Sequence, residues 1–414
     1  MIFSRKSPLI VGMDIGTSAI KIAVGERRAD GGLTMLGSHQ VESRGVRKGE
    51  VADHGEASRC ILQAVQEAED VLNMEIGEVE LALTGAHIES GNHRGTVPIR
   101  SETHEITDED VREAVENAAA CVLRGDGMKV LHVIRQQFYV DGKDGIANPA
   151  GLLGSKLEAD VHCIHGIGTR FLNTLNCLHA KQETSMEVSN GIFSGLASAL
   201  AVLNKHDKEL GAIAMDIGAG TTEYVVYVKG MIRQTGVIAV GGDHLVNDLQ
   251  LGLKLRSRKK TEALIREHGS VLMDGSVSDK ILTVKTSDLL TDRERTLHLE
   301  NIHLILHHRM DEILRIIHER IRAQGLLEMM GGGVFLTGGC ARIKGLVGLA
   351  AAIFQMPATV AVPQGFDGQM ERLAEPEMST AVGLVKYGHI KGHGAYGSRR
   401  GFGSYVRKML GIGE

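Results

Sequence analysis

The sequence has no tryptophan, only six prolines and five cysteines in 414 residues, and 3 % aromatic residues in all. So few prolines exclude a long proline-rich or low-complexity arm. The cysteines, Cys60, Cys121, Cys163, Cys177 and Cys340, form no Cys-x-x-Cys pair. In a chain of this size they are expected to be reduced thiols in the cytosol. Basic residues are not in excess: 46 Lys and Arg against 51 Asp and Glu leave a net charge of −5, which argues against a dedicated nucleic-acid binder. Even the run from Arg256 to Lys260 lacks interleaved aromatics and reads as a solvated loop. No apolar run approaches the roughly 20 residues that span a bilayer. The two basic residues before Pro8 are followed by a run that Asp14 interrupts, so no secretion signal is expected.

What remains is an ordinary globular balance, 43 % hydrophobic and 23 % charged. The length exceeds what one hydrophobic core serves, so at least two domains are expected. Residues 9–13, 20–24 and 33–41 read as a β-meander broken by the turn Asp14-Ile-Gly-Thr-Ser. The pattern returns at 212–215, 224–228 and 231–240, with Asp216-Ile-Gly-Ala-Gly-Thr-Thr as the turn. Asp14 and Asp216 stand 202 positions apart (216 − 14), about half the chain. One unit repeated at that distance points to duplicated domains rather than a solenoid.

Between the copies, 107–123 reads as an amphipathic helix with Thr107 as its N-cap, inside a stretch from 86 to 161 with strand-like pieces such as 130–140. Residues 189–203 read as an Ala-rich apolar helix. Residues 302–321 form a second, with Ile302, Ile305, Leu306, Ile313, Ile316 and Ile317 on one side. A strand at 334–336 runs into Thr337-Gly338-Gly339 and then a helix, and 389–404 reads as a linker. The histidines His303 and His307 have the i,i+4 spacing of zinc ligands, but no His-Glu-x-x-His motif exists, and a partly exposed helix face explains them better.

The chemistry lies in the glycine turns. Gly16, Gly218 and Gly220 let backbone N–H groups approach a phosphate, and Thr17, Ser18, Thr221 and Thr222 add hydroxyl donors. Lys21 adds a cation. Asp14 and Asp216, each at a strand end, suit a magnesium ion held through water. Gly338 and Gly339 open a segment that would pack on adenosine or the α-phosphate. Gly241 and Gly242 are counted with the nucleotide contacts. One such turn alone is mostly a tight β-turn; two of them plus the third indicate ATP. Neither a Walker A nor a Rossmann spacing is present. Slow turnover at most is expected, because no strong water-activating base stands out near either turn.

This trio resembles the actin and sugar-kinase superfamily. Leu131–Phe138, the 145–154 stretch with Asn148-Pro149, Ser194–Ala199, Val334–Ala341, Ser379–Leu384 and Tyr387-Gly388 are similar to the bacterial FtsA family. The resemblance covers roughly residues 9–388 and implies an α/β, actin-like ATPase fold: two duplicated ribonuclease-H-like domains around a nucleotide cleft, with a small inserted α/β subdomain. Its expected divisions are 1–85, 162–193 and 362–388 for the first domain and 86–161 for the insertion. The second-domain core is 194–241 with 319–361, its subdomain 242–318, then a linker at 389–401 and a helix at 402–414. The resemblance further implies a protein that binds ATP and Mg2+, polymerises on the cytoplasmic face of the membrane at the division site, and docks the tail of FtsZ. Where the family has Ala-Glu followed by Lys, this chain has Thr261-Glu262 followed by Arg266, with Glu262 expected at the ribose. Where the family often has Pro-Arg on the receiving helix, it has His308-Arg309, and Arg309 carries the expected FtsZ contact.

The last residues add a reading of their own. Phe402, Tyr405, Val406, Met409 and Leu410 follow helical spacing, with Arg407 and Lys408 beside them. This is the composition of a helix lying in an anionic membrane surface, not crossing it. A small-molecule kinase and a pilus-assembly relative on the same fold are the alternatives; a kinase would need a catalytic aspartate and substrate pocket that cannot be assigned.

Overall fold

The protein is described by a computed structural model covering residues 9–122, 127–179, 186–273, 275, 280–288, 291–368 and 371–392. The apolar stripe from Phe402 to Leu410 and most of the 389–404 stretch lie outside these residues. Strands β1 (Leu9–Ile15), β2 (Ala19–Arg27) and β3 (Leu33–Glu42) form the first antiparallel meander, and a small hairpin follows, β4 (Val46–Arg47) with β5 (Glu50–Val51). Helix α1 (His54–Leu72) starts where the Asp53 carboxylate accepts the Glu56 N–H, and stops at Asn73 in the left-handed region. Its apolar face, Ala57, Ile61, Ala64 and Ala68, joins the core beneath the meander.

Strand β6 (Glu78–Leu83) pairs in parallel with β1. The inserted unit follows: β7 (Glu89–Pro98), α2 (Asp108–Ala120), β8 (Met128–Val140), β9 (Lys143–Ile146) and β10 (Lys156–Ile167), in sheet order β7-β10-β8-β9. Thr107 does form the expected capping box, with Asp110. Helix α3 (Gly168–Leu178) returns the chain, and β11 (Glu187–Phe193) runs parallel to β6.

After α4 (Ser194–Val202) and α5 (Lys205–Leu210) the plan repeats: β12 (Ala212–Ile217), β13 (Thr222–Val228) and β14 (Met231–Ile238) form the second meander. Then come α6 (Gly242–Gly252), α7 (Arg258–His268), the hairpin β15 (Ile281–Asp288) with β16 (Thr291–His298), and the long helix α8 (Leu299–Arg322). Strand β17 (Gly333–Thr337), α9 (Leu346–Phe354), β18 (Ala358–Val360), β19 (Asp367–Gly368) and α10 (Ser379–Gly392) complete the described chain.

The two large sheets share one order. The first runs β3-β2-β1-β6-β11 and the second β14-β13-β12-β17-β18, with β19 added on the edge beside β3. In each, the first strand of the meander is central and gains a parallel neighbour, so both of its edges are paired; every residue of β12 is buried. Helices α4 and α10 cross between the halves. A Cβ on Gly383 would stand 1.8 Å from the Ala197 carbonyl oxygen, so the two backbones touch there.

Three expectations need correction. Residues 189–203 are not one helix: 189–193 belong to β11, where Gly191 faces Leu81 and Phe193 faces Leu83. Pairing with a buried neighbour overrides the weak helix signal of a segment holding Asn190, Gly191 and two β-formers. The third glycine turn does not lead straight into an α-helix. It opens a single 3-10 turn, Gly339–Arg342, and α9 begins only at Leu346. The 389–404 stretch begins inside α10, which continues to Gly392.

Candidate functional site

Each meander turns on the same hydrogen bond. In the first, Gly16 N–H donates to the Ala19 carbonyl at 3.1 Å; in the second, Gly218 N–H donates to the Thr221 carbonyl at 3.0 Å. Superposing the turns in register sets Asp14 against Asp216 and Lys21 against Glu223. Asp14 faces Lys21 across its strand pair, as Asp216 faces Glu223 across the other. The folded chain brings these turns together. A Cβ on Gly220 would lie 2.2 Å from Thr17 Oγ1, so this approach of the halves depends on glycine there.

The other glycines close on the second turn. Gly242 N–H donates to the Gly218 carbonyl at 3.0 Å, and a Cβ on Gly241 would meet that same oxygen at 2.5 Å. Gly338 has φ +85°, and a Cβ there would be 2.3 Å from Asp216 Oδ1. Gly218, Gly220, Gly241, Gly242 and Gly338 therefore gather at the second turn, and the Gly16 turn meets it through Thr17 against Gly220. Gly339 follows, exposed, and Ser18 is also exposed. Thr221 and Thr222 are buried, and Thr222 Oγ1 donates to the Val240 carbonyl at 2.8 Å, so its hydroxyl is already used.

The charges are unequal. Lys21 Nζ donates to Asp14 Oδ2 at 3.2 Å. Burial pulls the Lys21 pKa down, but Asp14 and Asp216 outweigh it and raise it above the ordinary lysine value. Asp216 is only 9 % exposed; burial, then the charge of Asp14, pushes its carboxyl upward against Ser198, Lys21 and Thr380. Glu223 is pushed up to about 7 by burial first and then by Asp216, although the Thr84 hydroxyl bonds it. Three buried carboxylates with one lysine make a pocket that favours a cation. Among the described residues no three His, Cys, Asp or Glu side chains converge closely enough to grip an ion directly. Asp14 and Asp216, both buried and both acting on Lys21, are of the chemistry that would suit a hard ion such as magnesium.

Several participants were not read from the sequence. Asp216 Oδ2 accepts the Ser198 hydroxyl at 2.5 Å and the Thr380 hydroxyl at 3.0 Å, which fastens it to both α4 and α10. Thr337 and Ser379 hydroxyls meet at 2.6 Å behind the third turn. Glu223 could have been found by aligning the two turns, since it stands where Lys21 stands in the first.

The remaining expected contacts differ in reach. Glu262 Oε1 accepts from Arg258 Nε at 2.7 Å, and Arg258 Nη2 reaches Asp243 Oδ1 at 2.5 Å, at the start of α6. Glu262 is thereby linked to the Gly241-Gly242 turn. Arg266 is exposed one turn farther along α7. Arg309 is not the freely exposed cation expected. It forks onto Asp248 at 2.6 and 3.1 Å and also pairs with Glu312. His303 is buried rather than part of an exposed face: its Nε2 meets the His268 carbonyl at 3.0 Å, while His307 Nδ1 meets the Val271 carbonyl at 2.8 Å.

Comparison with known proteins agrees with this geometry. Residues 85–165 match the family described as "SHS2 domain inserted in FTSA", and residues 213–383 match "Cell division protein FtsA". The cell division protein FtsA of Escherichia coli (strain K12) is 34 % identical over 423 residues, covering 99 % of this chain and 98 % of that one. That of Bacillus subtilis (strain 168) is 32 % identical over 383 residues, covering 92 % and 84 %. Among solved structures, a chain of the PilM-PilN type IV pilus biogenesis complex has a TM-score of 0.64 at 15 % identity, covering 92 % of this chain and 98 % of that one. MreB5 of Spiroplasma citri bound to ADP has a TM-score of 0.52 at 15 % identity, covering 99 % and 100 %. At such identities these two likenesses establish the actin-like ATPase fold and nothing more.

Proposed function

The chain belongs to the FtsA family of cell division proteins, and from that membership we propose that it is a nucleotide-controlled tether between the division ring and the membrane. In this reading ATP lies between the halves. Gly16, Thr17, Ser18, Gly218, Gly220 and Thr221 surround its phosphates, and Asp14 and Asp216 hold Mg2+ through water. The magnesium, when bound, neutralises phosphate charge. Gly241, Gly242, Glu262, Gly338 and Gly339 flank the nucleoside. The loaded protein polymerises on the cytoplasmic face of the membrane through its terminal stripe and receives the FtsZ tail beside Arg309 on α8.

The observation that carries the nucleotide reading is the meeting of the turns: Thr17 against Gly220, with Gly338 closing on Asp216. These contacts leave no room for a Cβ, and they adjoin a centre in which three buried carboxyls, Asp14, Asp216 and Glu223, share the charge of Lys21. Titration calorimetry of Mg-ATP into the wild type and Asp216→Ala tests it. The variant should bind at least about tenfold more weakly, a loss of about 1.4 kcal/mol. Equal affinity in the two proteins would sink the assignment.

A further inference from the structure

The hairpin of β4 and β5 ends in a two-residue turn, Lys48-Gly49, with φ of 53° and 75°. Both residues are left-handed, which is the geometry of a tight hairpin that leaves its tip projecting. The base of the hairpin is fixed. Val46 is buried in the core of the first half, Glu50 pairs with Arg170 of α3 at 2.5 Å, and Ala52 N–H returns to the Gly45 carbonyl at 2.7 Å.

The tip touches both phosphate turns. Gly49 N–H donates to Thr17 Oγ1 at 3.1 Å. A Cβ on Gly220 would stand 3.0 Å from the Lys48 backbone N and Cα, and one on Gly49 would meet Thr84 Cγ2 at 2.5 Å and Thr221 Cγ2 at 3.4 Å. The backbone of the tip thus lies against Gly220 and against the side chains of Thr17, Thr84 and Thr221. The tip therefore sits over the junction of the two turns, on the side of Thr17 and Thr221. His244, at the start of α6, is held below the ordinary histidine range by burial first and by the charge of Lys48 next, so the ammonium field extends across to the second half.

The charge balance gives Lys48 a role. Lys21 is committed to Asp14, and Arg170 to Glu50. Lys48 is exposed and forms no ion pair among the described residues. A nucleoside triphosphate brings more negative charge than one divalent ion cancels, and the pocket beneath is already acidic.

We propose that the Lys48-Gly49 tip is a further phosphate-binding element, in which the Lys48 ammonium contacts the terminal phosphate of a bound nucleoside triphosphate. The inference rests on the nucleotide reading above and adds a residue to it. Thr17 accepts the Gly49 N–H, which leaves its own hydroxyl proton to donate to phosphate. Because the tip bridges turns from both halves, it responds to whether a terminal phosphate is present.

The test compares ATP and ADP affinities, with Mg2+, for the wild type, Lys48→Asn and Lys48→Arg. Asparagine removes the charge and suits the left-handed backbone, so the turn is preserved; equal melting temperatures verify that. Lys48→Asn should weaken ATP about tenfold, or about 1.4 kcal/mol, and ADP much less, with Lys48→Arg recovering most of the loss. Unchanged ATP affinity in Lys48→Asn, or equal losses for ATP and ADP, overturns the proposal. A wild type that binds neither nucleotide instead overturns the underlying nucleotide reading, so the two failures are distinguishable.

Discussion

Glu80 on β6 is 7 % exposed, and the Asn190 amide donates to both of its carboxylate oxygens, at 3.2 and 2.9 Å. Burial pushes its pKa to about 7, more than Asn190 and the charge of Lys391 pull it down from 4.5. A carboxyl raised in the folded state stabilises fully below its unfolded value near 4.5 and loses that contribution as pH rises through about 7. Glu80→Gln removes the ionisation. The variant should therefore gain on the wild type as pH climbs from about 5 to about 8, by on the order of 3 kcal/mol at most. Urea denaturation at the two pH values measures this, and a constant difference between the proteins refutes it. Single residues were legible where the sequence repeats itself. Asp14 and Asp216 were found because each leads an identical Asp-Ile-Gly, whereas Ser198, Thr380 and Glu223 come to the site from unrelated segments or from across a strand pair.

Among the elements, α8 was read nearly whole. Its buried line Ile302, Leu306, Ile313 and Ile317 has the helical period, and the helix extends the reading by a turn at its start, to Leu299. Strand β11 was not, because a short buried strand and a buried helix look alike until a partner is known. The environment of Arg309 was equally hidden: Asp248 lies on α6, 61 positions away. This pairing reshapes the test of the proposed FtsZ contact. An acidic peptide reaches Arg309 by competing with Asp248 and Glu312, so Arg309→Glu sets three carboxylates side by side as well as removing the cation. Arg309→Glu should weaken an FtsZ tail peptide about tenfold or more by fluorescence anisotropy while ATP affinity is kept. Asp248→Asn, which loosens the internal pair, should strengthen the peptide. Peptide affinity that ignores both substitutions removes Arg309 from the contact.

For the whole molecule, duplication was the most legible property, since 202 positions separate two copies of one turn (216 − 14) and the two sheets share one strand order. What sequence could not give is the distance between the halves, which is set by glycines facing backbone, as Gly383 faces Ala197. The proposed attachment to a membrane belongs to this scale. Among the described residues no helix is long and apolar enough to cross a bilayer. In the proposed reading, the sequence stripe of Phe402, Tyr405, Val406, Met409 and Leu410 would bear the binding, weakly for one copy and firmly for many joined in a polymer. Removing residues 401–414 should leave the melting temperature unchanged and abolish co-sedimentation with anionic vesicles in the presence of ATP; a truncated protein that still pellets would refute the stripe as the anchor. The paired turns themselves carry one more consequence. Their backbones match, yet the first carries Lys21 where the second carries Glu223. Like a battery holder whose two contacts have one shape and opposite sign, the cleft has a front and a back. An elongated, unevenly charged guest would therefore be accepted in one orientation, and the matching folds of the halves do not make them interchangeable.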